Sequence, residues 1–297
     1  MNSARIGYEA RSPRPAMRPI RDASLGAKSA ELATWRAVSE VRTAVVTGSS
    51  GEIGHAVAER LAAAGMNLVL HSPEPGDAIE PRCEGLEERF GIRAVHATGN
   101  LSKPNGARKL IAAADSAFGR VDVLVNVVNM ATLVPAKGCS DKAWDLIIAH
   151  SLSASFHAIQ GVLEGMKARN WGRIVNVTSV PGLFRSSCYA AYETARRGVI
   201  SLTKTLAQDV AKDGVTVNAV CPEQVWTPLS EEQIRDTAWN RCLTREEVIR
   251  DVLQARQPSR SLVTAGQIAQ VTAFLSSDAA ATITGTVIAM GNGSTER

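Results

Sequence analysis

Short β-branched runs alternate with longer segments of helical period from residue 42 to the end of the chain. A short apolar run predicts a strand buried on both faces, and an amphipathic segment predicts a helix that covers the sheet. The predicted strands are residues 43–47, 67–71, 93–96, 121–126, 173–178, 215–220 and 286–290. Repeated βα units of this kind predict an α/β fold with one doubly wound, parallel, seven-stranded sheet.

The segments between the strands predict helices of different lengths. Residues 53–64 are rich in alanine and stop at Gly65, which predicts a helix with a glycine just beyond its end. Residues 151–169 and 187–212 predict two longer helices. Residues 228–262 interrupt the alternation with polar, charged helical turns, which predicts a lid over a substrate site.

Composition favours one large domain, residues 42–297, because 297 residues with 45% hydrophobic side chains can bury a single large core. The cysteines argue against a disulfide framework or a zinc site, since they are odd in number and lack CxxC spacing. They are Cys83, Cys139, Cys188, Cys221 and Cys242. The histidines show no metal-ligand spacing either. A reducing compartment is expected, either the cytoplasm or the mitochondrial matrix.

The net charge of +4 comes from the N-terminal extension, residues 1–41, together with Arg42. Residues 1–42 hold eight Arg and Lys against four Asp and Glu, which leaves 25 of each sign in the remainder. A neutral domain argues against nucleic-acid binding. No run approaches the roughly 18 apolar residues that a membrane span needs. The extension is either a targeting segment or a disordered tail, and its prolines and acidic residues make a poor amphipathic presequence.

A glycine-rich sequence, TGSSGEIG at residues 47–54, follows the first predicted strand and opens a helix. In that context glycines allow a tight turn and let backbone N–H groups approach a pyrophosphate at the helix N-terminus. The motif therefore predicts a dinucleotide site.

A second candidate site combines Ser179, directly after a predicted strand, with Tyr192 and Arg196 on the next helix. Positions i and i+4 share a helix face, so Arg196 is expected beside Tyr192. A fixed cation favours the ionised form of a neighbouring tyrosine, and a tyrosine facing a serine is a plausible acid/base pair.

The strand order, the TGxxxxxG turn and the Ser-x12-Tyr spacing resemble the short-chain dehydrogenase/reductase family over residues 42–293. Within it, KAWDLIIAHSLSASFHAIQGVLEGMKARNWGRIVNV and VNAVCPEQVWTPL resemble the bacterial-type D-3-hydroxybutyrate dehydrogenases. The resemblance implies a Rossmann-type domain, an oxidoreductase that uses NAD or NADP, and a homo-oligomer or larger assembly built through helices 151–169 and 187–212.

The resemblance implies a catalytic set that is half changed. Ser179 and Tyr192 match the family serine and tyrosine, whereas the family lysine falls on Arg196 and the family asparagine falls on Ser151. Arginine keeps the charge but differs from lysine in length and shape. Serine is shorter than asparagine and reaches different hydrogen-bond partners.

The implied cofactor positions are also altered. They are Gly48, Ser50, Glu52, Ile53, Gly54, Asn100, Leu101, Asn126 and Thr227. Glu52 replaces a glycine, and a carboxylate about 4 Å from a phosphate would repel it by about 4 kcal/mol, or about a thousandfold in affinity, unless it faces solvent. Val127 and Val128 replace small residues, and Glu223 replaces a glycine. His71 and Ser72 end the second strand without a residue that selects between NAD and NADP.

The substrate positions of the hydroxybutyrate subfamily are mostly absent. The glutamine, histidine and lysine that hold the substrate carboxylate fall on Ala131, Pro181 and Tyr189. Two pocket tryptophans fall on Gln224 and Ser294, and only the lid glutamine is kept, as Gln233. Hydroxybutyrate is therefore not expected to be the substrate.

Three hypotheses follow for the function. The first is a catalytically impaired or inactive pseudoenzyme that serves as a structural subunit or binding module, because several altered positions converge on one cleft. The second is an active NAD(P)-dependent oxidoreductase of altered substrate specificity that uses Tyr192 as its acid/base. The third is a protein that binds a dinucleotide without turning it over.

Overall fold

Seven parallel strands form one sheet in the order β3-β2-β1-β4-β5-β6-β7. The computed structural model describes residues 41–73, 79–127, 136–179, 190–223, 225–253 and 261–291. The strands are β1 (Thr43–Val46), β2 (Asn67–Ser72), β3 (Ala94–Thr98), β4 (Val123–Val127), β5 (Gly172–Val177), β6 (Val215–Pro222) and β7 (Val287–Met290). This sheet confirms the predicted α/β class, and each observed strand overlaps its prediction.

The helices lie between the strands, in the alternation that the sequence predicts. They are α1 (Glu52–Ala63), α2 (Glu80–Phe90), α3 (Pro104–Phe118), α4 (Asp141–Ile148), α5 (Ala154–Ala168), α6 (Ala190–Val210), α7 (Pro228–Arg241), α8 (Arg245–Glu247) and α9 (Ala265–Leu275). Within the described ranges, two segments are π-helical, Ala149–Ser153 and Val248–Leu253. Residues 1–40 of the predicted extension, 187–189 of the predicted helix and 254–260 of the predicted lid lie outside the described residues.

The sheet is buried on both faces because its strands are apolar along their whole length. Successive residues point to opposite faces, so Val46 packs with α1 and α9 while Val45 packs with α3, α5 and α6. All eight residues of β6 are buried. Full burial of one such valine contributes about 1.5–3 kcal/mol, so the two layers hold the sheet rigidly in place.

The predicted start of the helix at residue 151 was wrong, because the helical path already begins at Asp141. Ser140 caps α4 by accepting a hydrogen bond from the backbone N–H of Ala143 at 3.2 Å, and the helical path then runs on through the π-helical segment into α5. A π turn inserts an extra residue and shifts the apolar period, so one bent helix resembles two elements in the sequence.

The continuous segment Asp141–Ala168 is long and apolar enough to cross a membrane by length and composition alone. Its buried residues include Ala158, Ile159 and Met166, which pack in the core beside the sheet. We interpret it as a core helix of the domain. The segment nevertheless exposes three large apolar side chains, Trp144, Leu146 and Phe156, by 40%, 45% and 42%.

A cluster at the amino-terminal end of the sheet joins β5 to the chain just before β7. Two guanidinium groups lie against the Trp171 ring, with the Cζ of Arg42 at 3.9 Å and that of Arg173 at 4.3 Å from its centroid. The indole N–H donates to Asp278 at 3.0 Å, and Arg42 donates to both oxygens of the same carboxylate. This cluster lies at the end of the sheet away from the candidate site.

Candidate active site

The candidate residues meet at the carboxyl ends of the central strands. The strand order reverses between β1 and β4, and ligands of doubly wound sheets bind in the crevice at such a switch point. The glycine-rich turn follows β1, Asn126 lies near the end of β4, and Ser179 follows β5. The topology therefore brings the two sequence motifs to one cleft.

Glycine is required at two positions of the turn. Gly48 has a φ of +62°, and a Cβ there would lie 2.7 Å from the carbonyl oxygen of Val127. A Cβ on Gly54 would lie 2.4 Å from the carbonyl oxygen of Gly48. A side chain at Gly48 would push the turn away from β4, and one at Gly54 would push α1 away from the turn. Because both positions are glycine, the chain keeps the tight turn that a pyrophosphate needs.

The turn presents the open N-terminus of α1. Gly51 is the N-cap and supplies no side-chain hydrogen bond to the first turn of the helix. The backbone N–H groups of that turn are therefore available to an anion, as in other phosphate-binding helix termini. Glu52 and Ser50 are exposed, and Ile53 packs partly against the core. The residues present thus fit a dinucleotide.

The exposure of Glu52 changes the expected electrostatic cost. A repulsion of about 4 kcal/mol applies to a pair near a protein surface, whereas two unit charges 4 Å apart in bulk water repel by only about 1 kcal/mol. Because Glu52 is open to solvent, we place the cost nearer the lower figure. Val127 is 8% exposed and its side chain lies in the core cluster with α1, so it does not fill the cleft.

Contacts from two other elements hold the turn in place. The backbone N–H and the hydroxyl of Ser49 both donate to the carbonyl oxygen of His71, each at 3.0 Å. From α2, Nη1 of Arg82 donates to the carbonyl oxygens of Ser49 and Ser50, each at 3.0 Å. Reasoning from the sequence missed Arg82, because it belongs to no motif and lies 32 residues from the turn it contacts.

Asn126 is held by a buried chain of hydrogen bonds. Its Nδ2 donates to Oδ1 of Asn176 at 2.9 Å, and Nδ2 of Asn176 donates to the hydroxyl of Thr203 at 2.9 Å. That hydroxyl donates to the carbonyl oxygen of Val199 at 2.8 Å. The chain links β4, β5 and α6 and fixes the amide of Asn126 at the floor of the cleft.

The remaining predicted cofactor residues have structural roles of their own. Oδ1 of Asn100 accepts from the backbone N–H of Ser102 at 3.0 Å, and Leu101 is buried in the core beside α3. Thr227 caps α7, with its hydroxyl accepting from the backbone N–H of Ser230 at 3.3 Å.

The predicted acid/base pair is assembled. The Tyr192 hydroxyl donates to Oγ of Ser179 at 3.3 Å. Cζ of Arg196 lies 4.8 Å from the centroid of the Tyr192 ring, as the i, i+4 spacing predicts, and its Nη1 donates to the hydroxyl of Thr178 at 3.5 Å. Tyr192 and Ser179 are partly open to the cleft, whereas Arg196 is only 5% exposed. The arrangement can transfer a proton to or from a bound oxygen.

Two other buried groups lie on nearby elements, Cys221 on β6 and Ser151 in the π-helical segment. Burial raises the pKa of Cys221 to about 12, while the charge of Arg196 acts in the opposite direction. Cys221 is therefore a thiol at neutral pH and no nucleophile. Ser151 is fully buried in the π-helical segment, and its Oγ has no hydrogen-bond partner within the described residues. π turns are frequent at functional sites.

Several predicted positions lie outside the described residues. They are Val128, Ala131, Pro181, Tyr189, Gln224, Ser294 and the side chain of Gln233. Glu223 is described, and its backbone N–H donates to the carbonyl oxygen of Met290 at 3.1 Å, beyond the last residue pair of β6 and β7.

Comparison with known proteins identifies the family. The family described as short chain dehydrogenase matches residues 42–238. The chain belongs to this family. Among relatives of this short-chain dehydrogenase, D-beta-hydroxybutyrate dehydrogenase of Rhizobium meliloti (strain 1021) is 40% identical over 252 residues, or 85% of this chain and 98% of the relative. The enzyme of the same name from Cupriavidus necator is 36% identical over 252 residues, or 85% and 97%.

Solved structures agree with the fold. L-sorbose reductase from Gluconobacter frateurii, in complex with NADPH and L-sorbose, superposes with a TM-score of 0.81 at 24% identity, over 87% of this chain and 98% of the reductase. At this identity the match shows the fold alone. The resemblance to hydroxybutyrate dehydrogenases expected from the sequence is thereby confirmed by the relatives, and the Rossmann-type sheet by the structures.

Proposed function

We propose that this short-chain dehydrogenase is an active NAD(P)-dependent oxidoreductase that interconverts a secondary alcohol and a ketone, with Tyr192 as general acid/base. The hydrogen bond between Tyr192 and Ser179 supports this proposal most directly. Both side chains face one cleft beside a buried cation.

The residues divide the chemistry between them. Ser179 holds the substrate oxygen, and Tyr192 removes the proton from the alcohol or returns it to the ketone. Arg196 favours the ionised tyrosine through its charge. The glycine-rich turn, Asn126 and Thr227 would hold the dinucleotide, which supplies the hydride acceptor or donor when bound.

The substrate differs from that of the relatives. The positions that resemble the carboxylate-binding residues of hydroxybutyrate dehydrogenases are Ala131, Pro181 and Tyr189, none of which is cationic. Recognition of a small carboxylate normally uses a cation or a fork of donors. We therefore expect a substrate without a carboxylate at this position.

A second candidate function is a binding or structural role without turnover, which corresponds to the pseudoenzyme hypothesis. It is favoured by Ser151, whose buried hydroxyl lies unpaired among the described residues where the family carries an asparagine. The guanidinium of Arg196 also contacts the Tyr192 ring and Thr178. Under this candidate Arg196→Lys gains turnover of at least about tenfold, whereas under the first candidate it does not.

We also infer that the outward face of α4 and α5 contacts a second copy of the chain. Trp144, Leu146 and Phe156 are exposed apolar side chains there, and exposed apolar groups of this size are typical of interaction surfaces. The relatives named above are bacterial, which favours the cytoplasm over the mitochondrial matrix as the compartment.

Activity against a panel of ketones with NADH and NADPH tests the first candidate. Tyr192→Phe should lower kcat by about 10²- to 10⁴-fold, the usual contribution of an acid/base group. Ser179→Ala should lower it as well, while Ser201→Ala, at an exposed position of α6, should not. No turnover on any ketone, together with a melting temperature that rises by about 5 °C with either dinucleotide, would favour the second candidate.

A further inference from the structure

Arg82 places a positive charge on the outer wall of the glycine-rich turn. It lies in the first turns of α2, directly after the connection from β2, and is half-buried. Its Nη1 donates to the carbonyl oxygens of Ser49 and Ser50. These contacts use the two N–H groups of Nη1, out of the five donors of a guanidinium.

The charge of Arg82 acts on the turn and on the start of α1. No carboxylate forms an ion pair with Arg82 within the described part of the chain. Burial is the main cause that lowers the pKa of His55, on α1, and the charge of Arg82 is the next. The exposed carboxylate of Glu52 is the opposing charge at this helix terminus.

No residue of β2 itself, Asn67–Ser72, carries a carboxylate. In dinucleotide-binding sheets a carboxylate near this position binds the adenosine 2′-hydroxyl, whereas a nearby arginine accommodates a 2′-phosphate. Here β2 ends at His71 and Ser72, both buried. Nε2 of His71 is 2.7 Å from the carbonyl oxygen of Gly99, and the Ser72 hydroxyl is 3.0 Å from Nε2 of His96. Arg82 therefore places a cation on the glycine-rich turn, next to a strand that itself supplies no carboxylate.

We propose that Arg82 binds the 2′-phosphate of NADP(H), so that this protein prefers NADP(H) to NAD(H); the inference rests on the dinucleotide binding of the proposed function. A 2′-phosphate adds close to two negative charges at neutral pH. A guanidinium already positioned by two carbonyl oxygens meets it with little loss of side-chain freedom.

Two fragments without nicotinamide test this independently of turnover. Isothermal titration of the full chain with 2′,5′-ADP and with 5′-ADP should give an affinity at least about tenfold higher for 2′,5′-ADP, as expected for charge-assisted hydrogen bonds. Arg82→Gln should remove most of that difference and change 5′-ADP affinity by less than about twofold. Arg82→Lys should keep part of the difference, because the charge remains.

Arg89→Gln is the matched control, since Arg89 lies on the same helix and pairs with Glu59 rather than with the turn. It should leave both affinities unchanged, and melting temperatures show whether each variant folds. Equal affinities in the native chain would overturn this inference and leave the proposed function standing. Tighter binding of 5′-ADP would do the same, because it would indicate a carboxylate at the 2′ position. An equal loss of both fragments in Arg82→Gln would also overturn it. Binding of neither fragment would contradict the proposed function as well.

Discussion

The buried chain of hydrogen bonds below the cleft makes a prediction about stability. Asn176→Leu keeps the approximate volume but leaves Nδ2 of Asn126 without its acceptor and the Thr203 hydroxyl without its donor. A buried group that loses its partner costs about 1–3 kcal/mol. The Thr203 hydroxyl still donates to the carbonyl oxygen of Val199. Its lost hydrogen bond should therefore cost an amount near the lower limit of this range. We expect the free energy of unfolding to fall by about 2–4 kcal/mol.

Urea unfolding followed by circular dichroism at one fixed protein concentration measures this loss. Thr203→Val should cost about 1–2 kcal/mol, because Nδ2 of Asn176 then lacks an acceptor. The double variant should lose less than the sum by about 1 kcal/mol or more, since both changes remove the same hydrogen bond. A loss below about 0.5 kcal/mol for Asn176→Leu, or strict additivity, would refute the idea that this chain stabilises the floor of the site.

Two further predictions concern the surface and the far end of the sheet. Phe156→Glu should reduce the mass of the assembly, measured by light scattering after size exclusion. The control Trp239→Glu, at an exposed position of α7, should leave that mass unchanged. An unchanged mass for Phe156→Glu would contradict the inferred contact. Burial would raise the pKa of Asp278, but hydrogen bonds from Trp171 and Arg42 lower it overall. Its stabilisation is therefore complete above the unfolded pKa and is lost as the pH falls below about 4. The melting temperature of Asp278→Asn should fall less than that of the native chain between pH 5 and 3, and parallel curves would contradict this.

The sequence predicts the sheet well because strands buried on both faces carry a strong local signal. Every residue of β1, β5 and β6 is buried, and their apolar runs give the strand positions to within two residues. The start of the helix before Ala154 was missed for a local reason, because the π-helical segment changes the apolar period. Periodicity therefore locates elements of constant geometry and fails where the geometry changes.

The site is predictable only as far as its motifs reach. Ser179, Tyr192 and Arg196 meet as their spacing predicts, because strand ends and helix faces are set by the fold. The contact of Arg82 with the turn joins two elements, and no local pattern encodes it.

The sequence also does not show whether a charged side chain is exposed or buried. That exposure decides how strongly a substitution affects the electrostatics of the site. Glu52 is exposed, so water screens its repulsion of a phosphate. Arg196 and Ser151 are buried, so water screens their interactions far less. A change of charge position at Arg196, or of hydrogen bonding at Ser151, is therefore less screened by water than a change at Glu52. If turnover is impaired in this protein, the cause should lie beside Tyr192, and Glu52→Gly alone should not restore it.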